Sequence, residues 1–406
     1  MTDYTDTHII ATGPHGYGGA VQSLCRALQH LNLAGIKTTY VALDKPVPLQ
    51  KNPDWAIEHV PVSLVEGGAI GFHTAPVVDK HILVPEVIAE KMALCARESE
   101  HQRIVLWGTY LFPYVRAVTM AYDVLRDDPR DIQLWFSPTG SDVHHIAPNI
   151  HEVTRRLLQN SDADAIIVPS QGFAKEIRDN LRVERQQTVI HPMIEADRFV
   201  MPTPEKRKAI RTELGFDDDD FVMTTHSNFR RIKRPKDVLR IAEQVGAQLE
   251  RPAHIIMMGT ERPELHAFAE TTLKHTQVHW MGVVTDVERY LGASDVEINC
   301  CAHDSFNLSL AEAMACGVPV VSTDLVGVST HIKAANAGYL FPYEPDAHYD
   351  EAAYTGNRYT DAVAYICKLA DNEIERRAIG KRGSVYTHTH LRPEDLLGGY
   401  LKLLDT

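Results

Sequence analysis

The sequence predicts an α/β fold of two Rossmann-like, doubly wound domains that face each other across a central cleft. Short apolar runs alternate with helix-length amphipathic segments along the 406 residues. The runs are continuous rather than alternating with polar residues, which is typical of parallel strands covered on both faces. The strand–helix pattern occurs twice, and the length fits two domains of ~100–200 residues each.

Each half contains six predicted strands. Those of the first half are His8–Thr12, Thr38–Leu43, Ile104–Trp107, Ile132–Phe136, Ala165–Pro169 and Thr188–His191. Those of the second half are Phe221–Thr225, Ala253–Met258, Val278–Met281, Val296–Cys300, Pro319–Ser322 and Gly338–Phe341. The amphipathic segments between them include Val21–Leu31, Pro113–Leu125, Asp237–Leu249 and Leu308–Ala315.

A proline-rich join separates the two halves between Pro192 and Pro204. We therefore expect a first domain at residues 1–198, a second at 199–380, and a C-terminal helical segment at 381–406 that packs back on the first. Sheets of this kind bind ligands at the carboxyl ends of their strands.

Composition excludes several classes of protein. Lys and Arg total 41 against 54 Asp and Glu, a net charge of −13, which argues against nucleic-acid binding driven by overall charge. No apolar run approaches the ~20 residues of a membrane span, and the polar N-terminus is unlike a signal peptide. The six cysteines have no zinc-site spacing, so we expect free thiols, a cytoplasmic location and no metal site.

The first motif is a glycine-rich loop, Gly13–Ala20, between the first predicted strand and the first predicted helix. Glycines permit close backbone approach, and a helix N-terminus favours an anion. A tight strand–helix turn without a ligand explains the loop equally well. The spacing is not GxGxxG, which disfavours a dinucleotide cofactor.

The second motif, Ser227–Pro235, follows the first strand of the second half. It has four basic residues in five positions: Arg230, Arg231, Lys233 and Arg234. Cations are unfavourable near a helix N-terminus, so a phosphate-bearing ligand explains them better than a solvated helix start.

In the third motif, Asp304–Pro319, Asp304 lies in the loop after a predicted strand, and Glu312 lies eight positions later on the next predicted helix, which Phe306, Asn307 and Leu308 open. Two carboxylates suit the hydroxyls of a sugar or ribose, and the first helical N–H groups can receive a phosphate. An N-cap with an exposed helical glutamate is the alternative, and it remains open.

A fourth motif, Ser137–Asp142, follows a strand of the first half and could bind an acceptor or form an Asx-type turn.

Together these motifs resemble a retaining GT-B glycosyltransferase of family 4. The segments DSFNLSLAEAMACGVPVVSTD and SNFRRIKRPKDV carry the resemblance, which extends over nearly the whole chain. The second segment is similar to the low-molecular-weight-thiol branch, whose members place N-acetylglucosamine on L-malate or on inositol phosphate. The bacillithiol-type, L-malate member is the nearer match.

The resemblance implies specific roles. Implied catalytic residues are Arg230, Lys233 and Asp304. Implied contacts with the nucleoside-diphosphate-sugar donor (UDP- or GDP-linked) are Gly18, Gly19, Asn228, Gly259, Gly282, Phe306, Asn307, Leu308 and Glu312. Candidate contacts with a small-molecule acceptor are His15, Tyr17, Thr139, Ser141, Asp142 and His144. The resemblance further implies front-face attack with retention, cationic residues instead of a metal ion, no cofactor, and a homodimer.

Three positions depart from the family pattern: Asp304 replaces a glutamate, Asn307 a glycine, and Thr139 a histidine. They point to an altered sugar or acceptor, in thiol or antibiotic (specialised) metabolism. A non-catalytic nucleotide-sugar-binding protein and a nucleotide-sugar epimerase are the alternative functions.

Overall fold

The predicted strands of both halves are present in the structure, and the α/β fold class is confirmed. The structure is a computed structural model that describes residues 4–14, 18–43, 57–62, 65–66, 77–78, 81–82, 84–140, 143, 155–159, 162–342 and 359–405. The chain divides into a first unit, Met1–Met193 with Leu396–Thr406, and a second unit, Ile194–Asp395. The sequence placed the corresponding boundaries at 198/199 and 380/381.

The first unit contains a seven-stranded parallel sheet. Its strands are β1 (Thr7–Thr12), β2 (Lys37–Ala42), β3 (Glu58–Pro61), β7 (Arg103–Thr109), β8 (Asp131–Ser137), β9 (Ala165–Val168) and β10 (Thr188–Val189). They lie in the order β10-β9-β8-β7-β1-β2-β3. A small antiparallel sheet contains β4 (Val65–Glu66), β5 (Val77–Val78) and β6 (His81–Ile82).

Helices of the first unit cover its large sheet with apolar side chains. They include α1 (Gly19–Leu33), α2 (Pro85–Glu98), α3 (Arg116–Val124) and α4 (Gln171–Leu181). The last helix of the chain, α13 (Pro393–Leu403), contributes Tyr400 and Leu403 to a buried cluster with Ile9 and Trp107. Through this apolar packing the end of the chain, Leu396–Thr406, is part of the first unit.

The second unit contains a six-stranded parallel sheet. Its strands are β11 (Phe221–His226), β12 (Ala253–Met258), β13 (Thr276–Gly282), β14 (Val296–Asn299), β15 (Val320–Thr323) and β16 (Gly338–Phe341). They lie in the order β13-β12-β11-β14-β15-β16. Strand order reverses between β11 and β14, which is where doubly wound sheets bind their ligands.

Helices surround the sheet of the second unit and follow its strands along the chain. They include α5 (Pro204–Leu214), α6 (Pro235–Gly246), α7 (Pro263–Thr272), α8 (Val287–Ala293), α9 (Leu308–Ala315), α10 (Ser329–Ala335), α11 (Thr360–Asp371) and α12 (Glu373–His390). The helix α12 packs on α9, and the Ser384 hydroxyl donates to the Ala315 carbonyl at 2.9 Å. The C-terminal region therefore contributes helices to both units, and the division falls in the first turn of α13.

Candidate active site

The four basic residues of the second motif lie in the turn after β11 and differ in how far they are buried. Arg234 begins α6 with a left-handed φ of 51°, is 1% exposed, and pairs with Asp237 at 3.1 Å. Lys233 is largely buried, whereas Arg230 and Arg231 are exposed. Arg234 therefore stabilises the turn from inside, and the cationic surface predicted for a phosphate is reduced to the other three residues.

The loop between β14 and α9 holds Asp304 in a fixed backbone conformation. Asp304 forms an isolated parallel bridge with Val326, and the Gly327 N–H donates to the Asp304 carbonyl at 2.9 Å. The Phe306 N–H donates to Asp304 Oδ1 at 3.3 Å. The carboxylate is thus oriented by its own loop before any ligand binds.

Lys233 and Asp304 form an ion pair at the adjacent carboxyl ends of β11 and β14, with the Lys233 ammonium donating to Asp304 Oδ2. Burial opposes charge on both groups. The attraction between them outweighs it, lowering the pKa of Asp304 and raising that of Lys233. Both groups are therefore charged at neutral pH.

The two loops are also joined through their backbones. The Ala302 N–H donates to the Ile232 carbonyl at 2.9 Å. Cys301 lies beside Lys233, and burial raises the pKa of its thiol to about 11, so it is a neutral thiol. The sequence motifs around residues 230 and 304 therefore form one continuous site.

A buried histidine connects the end of β11 to α9. His226 Nδ1 lies 3.0 Å from Glu297 Oε1, and its Nε2 lies 3.4 Å from Glu312 Oε2. The His226 backbone N–H also donates to Glu297 Oε1 at 3.1 Å. Burial disfavours the imidazolium, but the two carboxylates outweigh this and raise the pKa of His226 to about 10. Glu312 is thus held by a cation that is itself held by Glu297.

The stability of the chain should fall between pH 6.5 and 10 because His226 titrates there. Its pKa is raised from 6.5 to about 10 on folding, so its stabilising contribution is complete below pH 6.5 and is lost as pH rises toward 10. Thermal unfolding across this range should show a steeper loss of Tm for the wild type than for the double variant His226→Gln/Glu297→Gln. Parallel Tm profiles would contradict a charged His226.

The N-terminus of α9 lies beside the Lys233–Asp304 pair. Asn307 is the N-cap residue, with φ 81°, and Leu308 is the first helical residue. The first N–H groups of a helix have no partner within the helix and favour an anion. The Phe306 N–H is directed at Asp304, so in this structure it serves the carboxylate.

Glycine ends the strands on the other side of β11. A Cβ at Gly259, where φ is 156°, would lie 1.8 Å from the Ser227 carbonyl oxygen. The Gly259 N–H donates to the Gly282 carbonyl at 2.8 Å. Asn228, in the adjoining turn, accepts the Arg230 N–H through Oδ1 at 3.4 Å. These predicted donor contacts lie at the carboxyl edge of one sheet.

In the first unit, the structure describes three of the residues predicted to contact substrates. Gly18 is the N-cap of α1, and a Cβ placed there meets no heavy atom within 4 Å among the residues described. Gly19 begins α1, and Thr139 follows β8 and is half-buried. The remaining predicted acceptor contacts lie outside the described residues: His15, Tyr17, Ser141, Asp142 and His144.

Sequence reasoning missed two members of the site, His226 and Glu297. Glu297 is 0% exposed in β14, between Val296 and Ile298. A glutamate between two apolar residues of a predicted buried strand is itself a signal, because buried carboxylates require a partner. That signal, with His226 directly before the second motif, could have found the pair.

The described part of the chain offers neither a metal-binding cluster nor a membrane-spanning helix. No group of three or more His, Cys, Asp or Glu side chains there could hold a metal ion. No helix there is long and apolar enough to cross a membrane.

Part of the second unit matches a known protein family. Residues 221–354, which contain every site residue of that unit named above, match the family model "Glycosyl transferases group 1". The chain carries a glycosyl transferase group 1 domain. By this domain it is a glycosyltransferase, and its fold is GT-B.

Curated relatives agree with the group 1 domain. N-acetyl-alpha-D-glucosaminyl L-malate synthase of Bacillus anthracis is 23% identical over 316 residues, covering 77% of each chain. D-inositol 3-phosphate glycosyltransferase 2 of Catenulispora acidiphila is 26% identical over 204 residues, covering 47% of this chain and 46% of the relative.

Solved structures show the same fold over the whole chain. Sucrose-phosphate synthase from Thermosynechococcus elongatus has a TM-score of 0.73 at 16% identity, covering 98% of each chain. Anabaena HepE in complex with UDP has a TM-score of 0.71 at 14% identity, covering 98% of this chain and 99% of that one. At these identities the likeness concerns the fold alone.

Proposed function

We propose that the chain is a retaining glycosyltransferase that transfers a sugar from a nucleoside-diphosphate sugar to a small-molecule acceptor. The observation that carries the proposal is the Lys233–Asp304 pair beside the His226–Glu312 contact, at neighbouring strand ends of the group 1 domain. A cationic group that suits a diphosphate and carboxylates that suit sugar hydroxyl groups thus occur together, at the strand ends where a doubly wound sheet binds its ligand.

The leaving group is the nucleoside diphosphate, on which negative charge develops as the glycosidic bond breaks. Lys233 and Arg230 neutralise that charge in the proposed reaction, so a metal ion has no required role. Lys233 is pre-positioned by Asp304, which lowers the reorganisation needed in the transition state. Arg230 is exposed and approaches the diphosphate from the solvent side of the turn.

Carboxylates recognise the hydroxyl groups of the donor in this proposal. Asp304 accepts from the transferred sugar, and Glu312 accepts from the ribose. The N–H groups of Asn307 and Leu308 receive a phosphate or sugar oxygen at the start of α9. A donor phosphate oxygen assists deprotonation of the acceptor, which attacks from the face that the leaving group vacates and so retains the configuration.

UDP is the first nucleotide to test, because HepE is described in complexes with UDP and UDP-glucose. The names of the two curated relatives contain L-malate and inositol 3-phosphate, both small hydroxylated anions. A hydroxylated small-molecule acceptor at the first unit is therefore proposed. The cytoplasmic location and the homodimer stay predictions.

The decisive experiment offers UDP-, GDP-, dTDP- and ADP-sugars with hydroxy-acid, inositol-phosphate and thiol acceptors. We expect one donor to be consumed only when an acceptor is present. The NMR coupling constant of the product should show the same anomeric configuration as in the donor. An inverted product would contradict retention. Binding without consumption would favour a non-catalytic protein, and an epimerised donor would favour an epimerase.

Replacing Glu312 with glutamine should weaken binding of the nucleoside diphosphate. A hydrogen bond to a charged group contributes ~1.5–3 kcal/mol, so the Kd should rise about 10- to 150-fold. Calorimetric titration measures this effect. Glu243→Gln is the matched control, because Glu243 accepts the Lys274 and His275 N–H groups before β13, at the amino edge of the sheet. Equal affinities in both variants would contradict ribose recognition by Glu312.

A further inference from the structure

Asn307 holds its side chain in a fixed orientation at the start of α9. The residue adopts a left-handed backbone conformation with φ 81°, which asparagine tolerates better than most residues. Its Oδ1 accepts the Leu310 N–H at 3.2 Å and the Ser309 hydroxyl at 2.8 Å. A backbone N–H can only donate, so the atom facing it must be Oδ1, and the amide nitrogen lies on the other side.

The amide nitrogen of Asn307 is buried without an acceptor. The residue is 3% exposed, and Nδ2 has no hydrogen-bond partner among the described residues. Buried side-chain donors are nearly always paired, since leaving one unpaired loses its hydration without replacement. The cap uses the oxygen of the amide as an acceptor and leaves two N–H donors that no described residue accepts.

The neighbourhood indicates an oxygen-rich ligand. Along the chain, Asn307 lies between Asp304, which pairs with Lys233, and α9, whose second turn carries Glu312. The partial positive charge of a helix N-terminus favours an electron-rich group at this end. An oxygen bound at the start of α9 would therefore lie beside Asn307, the N-cap residue of that helix.

We infer that Nδ2 of Asn307 donates a hydrogen bond to an oxygen of the bound nucleoside-diphosphate sugar, and so contributes to the choice of donor. The inference rests on the proposed function and adds a side-chain contact to the backbone contacts proposed for Asn307 and Leu308. The oxygen belongs either to the diphosphate or to the transferred sugar. Because the cap fixes the amide before the ligand binds, little side-chain entropy is lost on binding.

Two substitutions at Asn307 test the N–H donor, and Asn307→Asp does so without removing the capping oxygen. Asn307→Asp keeps a capping oxygen and a residue that tolerates this backbone, but turns the donor into a carboxylate facing the ligand oxygen. Calorimetric titration with a UDP-sugar should show a Kd raised about 30-fold or more, since a hydrogen bond becomes a repulsion. Asn307→Gly removes the donor without adding charge and should raise the Kd about 5- to 10-fold.

Titration with UDP alone distinguishes the two sources of the oxygen. An equal loss of affinity for UDP and the UDP-sugar assigns the contact to the diphosphate, whereas a loss confined to the UDP-sugar assigns it to the sugar. Asn336→Asp is the matched control, because Asn336 is also left-handed, with φ 51°, and is exposed at the end of α10. It should bind both ligands as the wild type does.

Wild-type affinity for both ligands in Asn307→Asp and Asn307→Gly would overturn the inference. If Glu312→Gln still weakened binding in that case, the proposed function would stand without this contact. A wild-type protein that bound no nucleoside diphosphate or its sugar in the titrations would overturn both.

Discussion

Lys233→Ala should lower kcat by about 100- to 1,000-fold, the loss typical of removing one pre-organised group that stabilises transition-state charge. The ammonium is held by Asp304 in a largely buried position, so water cannot replace it at the same place. Steady-state kinetics with the donor and acceptor found by the screen measure the loss. A kcat within threefold of wild type would contradict stabilisation of the leaving group by Lys233.

The matched control for this substitution is Lys236→Ala. Lys236 lies three positions later, in the first turn of α6, and its ammonium lies 5.5 Å from the centre of the Phe268 ring. The substitution removes the same side chain and the same charge from the same region. Its turnover should stay close to that of the wild type.

Loss of Lys233 also leaves Asp304 without its cation, so a failure to fold has to be separated from a failure to react. The double variant Lys233→Ala/Asp304→Asn removes the unpaired carboxylate and should recover Tm without recovering turnover. Arg230→Ala tests the stabilisation of the leaving group independently. The exposed side chain of Arg230 has no ion pair or side-chain hydrogen bond with a described residue. It should lower turnover while Tm stays unchanged.

The sequence predicted twelve of the strands and placed the second and third motifs after strands of the second unit. Runs such as Phe221–Thr225 are apolar on both faces, and only a strand covered on both sides by helices accommodates that pattern. The carboxyl ends of the strands then determine where residues 230, 233, 304 and 312 meet. The strands β3 to β6 were missed because they are short and lack an apolar run: β3 reads Glu-His-Val-Pro, and the other three have two residues each.

Side-chain direction could not be predicted from residue type. Arg230 and Arg234 are the same residue in the same motif, yet the left-handed backbone at Arg234 directs its side chain into the protein, where Asp237 pairs with it. The Asn307 amide is a similar case, since its capping role depends on a backbone conformation that the letter sequence does not specify. The pairs among these side chains therefore needed coordinates, whereas the strand ends that carry the motifs were predicted from the sequence.

His226→Ala should lower the free energy of unfolding by about 3–5 kcal/mol, the cost of removing one partner from a buried ionic group. Glu297 is 0% exposed and Glu312 is 8% exposed, and without the imidazolium their carboxylates face each other with no cation between them. Urea unfolding followed by circular dichroism measures the change. His279→Ala is the matched control, because His279 contacts His254 and Phe216 instead of a carboxylate. It should cost about 1 kcal/mol, as an average substitution does.

Charge repulsion and lost packing in His226→Ala differ in their dependence on pH. Without the imidazolium, a buried carboxylate of the variant has a raised pKa in the folded state, so the folded variant loses stability as pH rises. The wild-type contribution of His226 is constant below pH 6.5. The deficit of the variant should therefore grow between pH 5 and pH 6.5, where the wild-type contribution of His226 does not change, and Glu297→Gln added to His226→Ala should remove that growth. A deficit that is the same at both pH values, or no larger than that of His279→Ala, would show that His226 fills space rather than neutralising the two carboxylates.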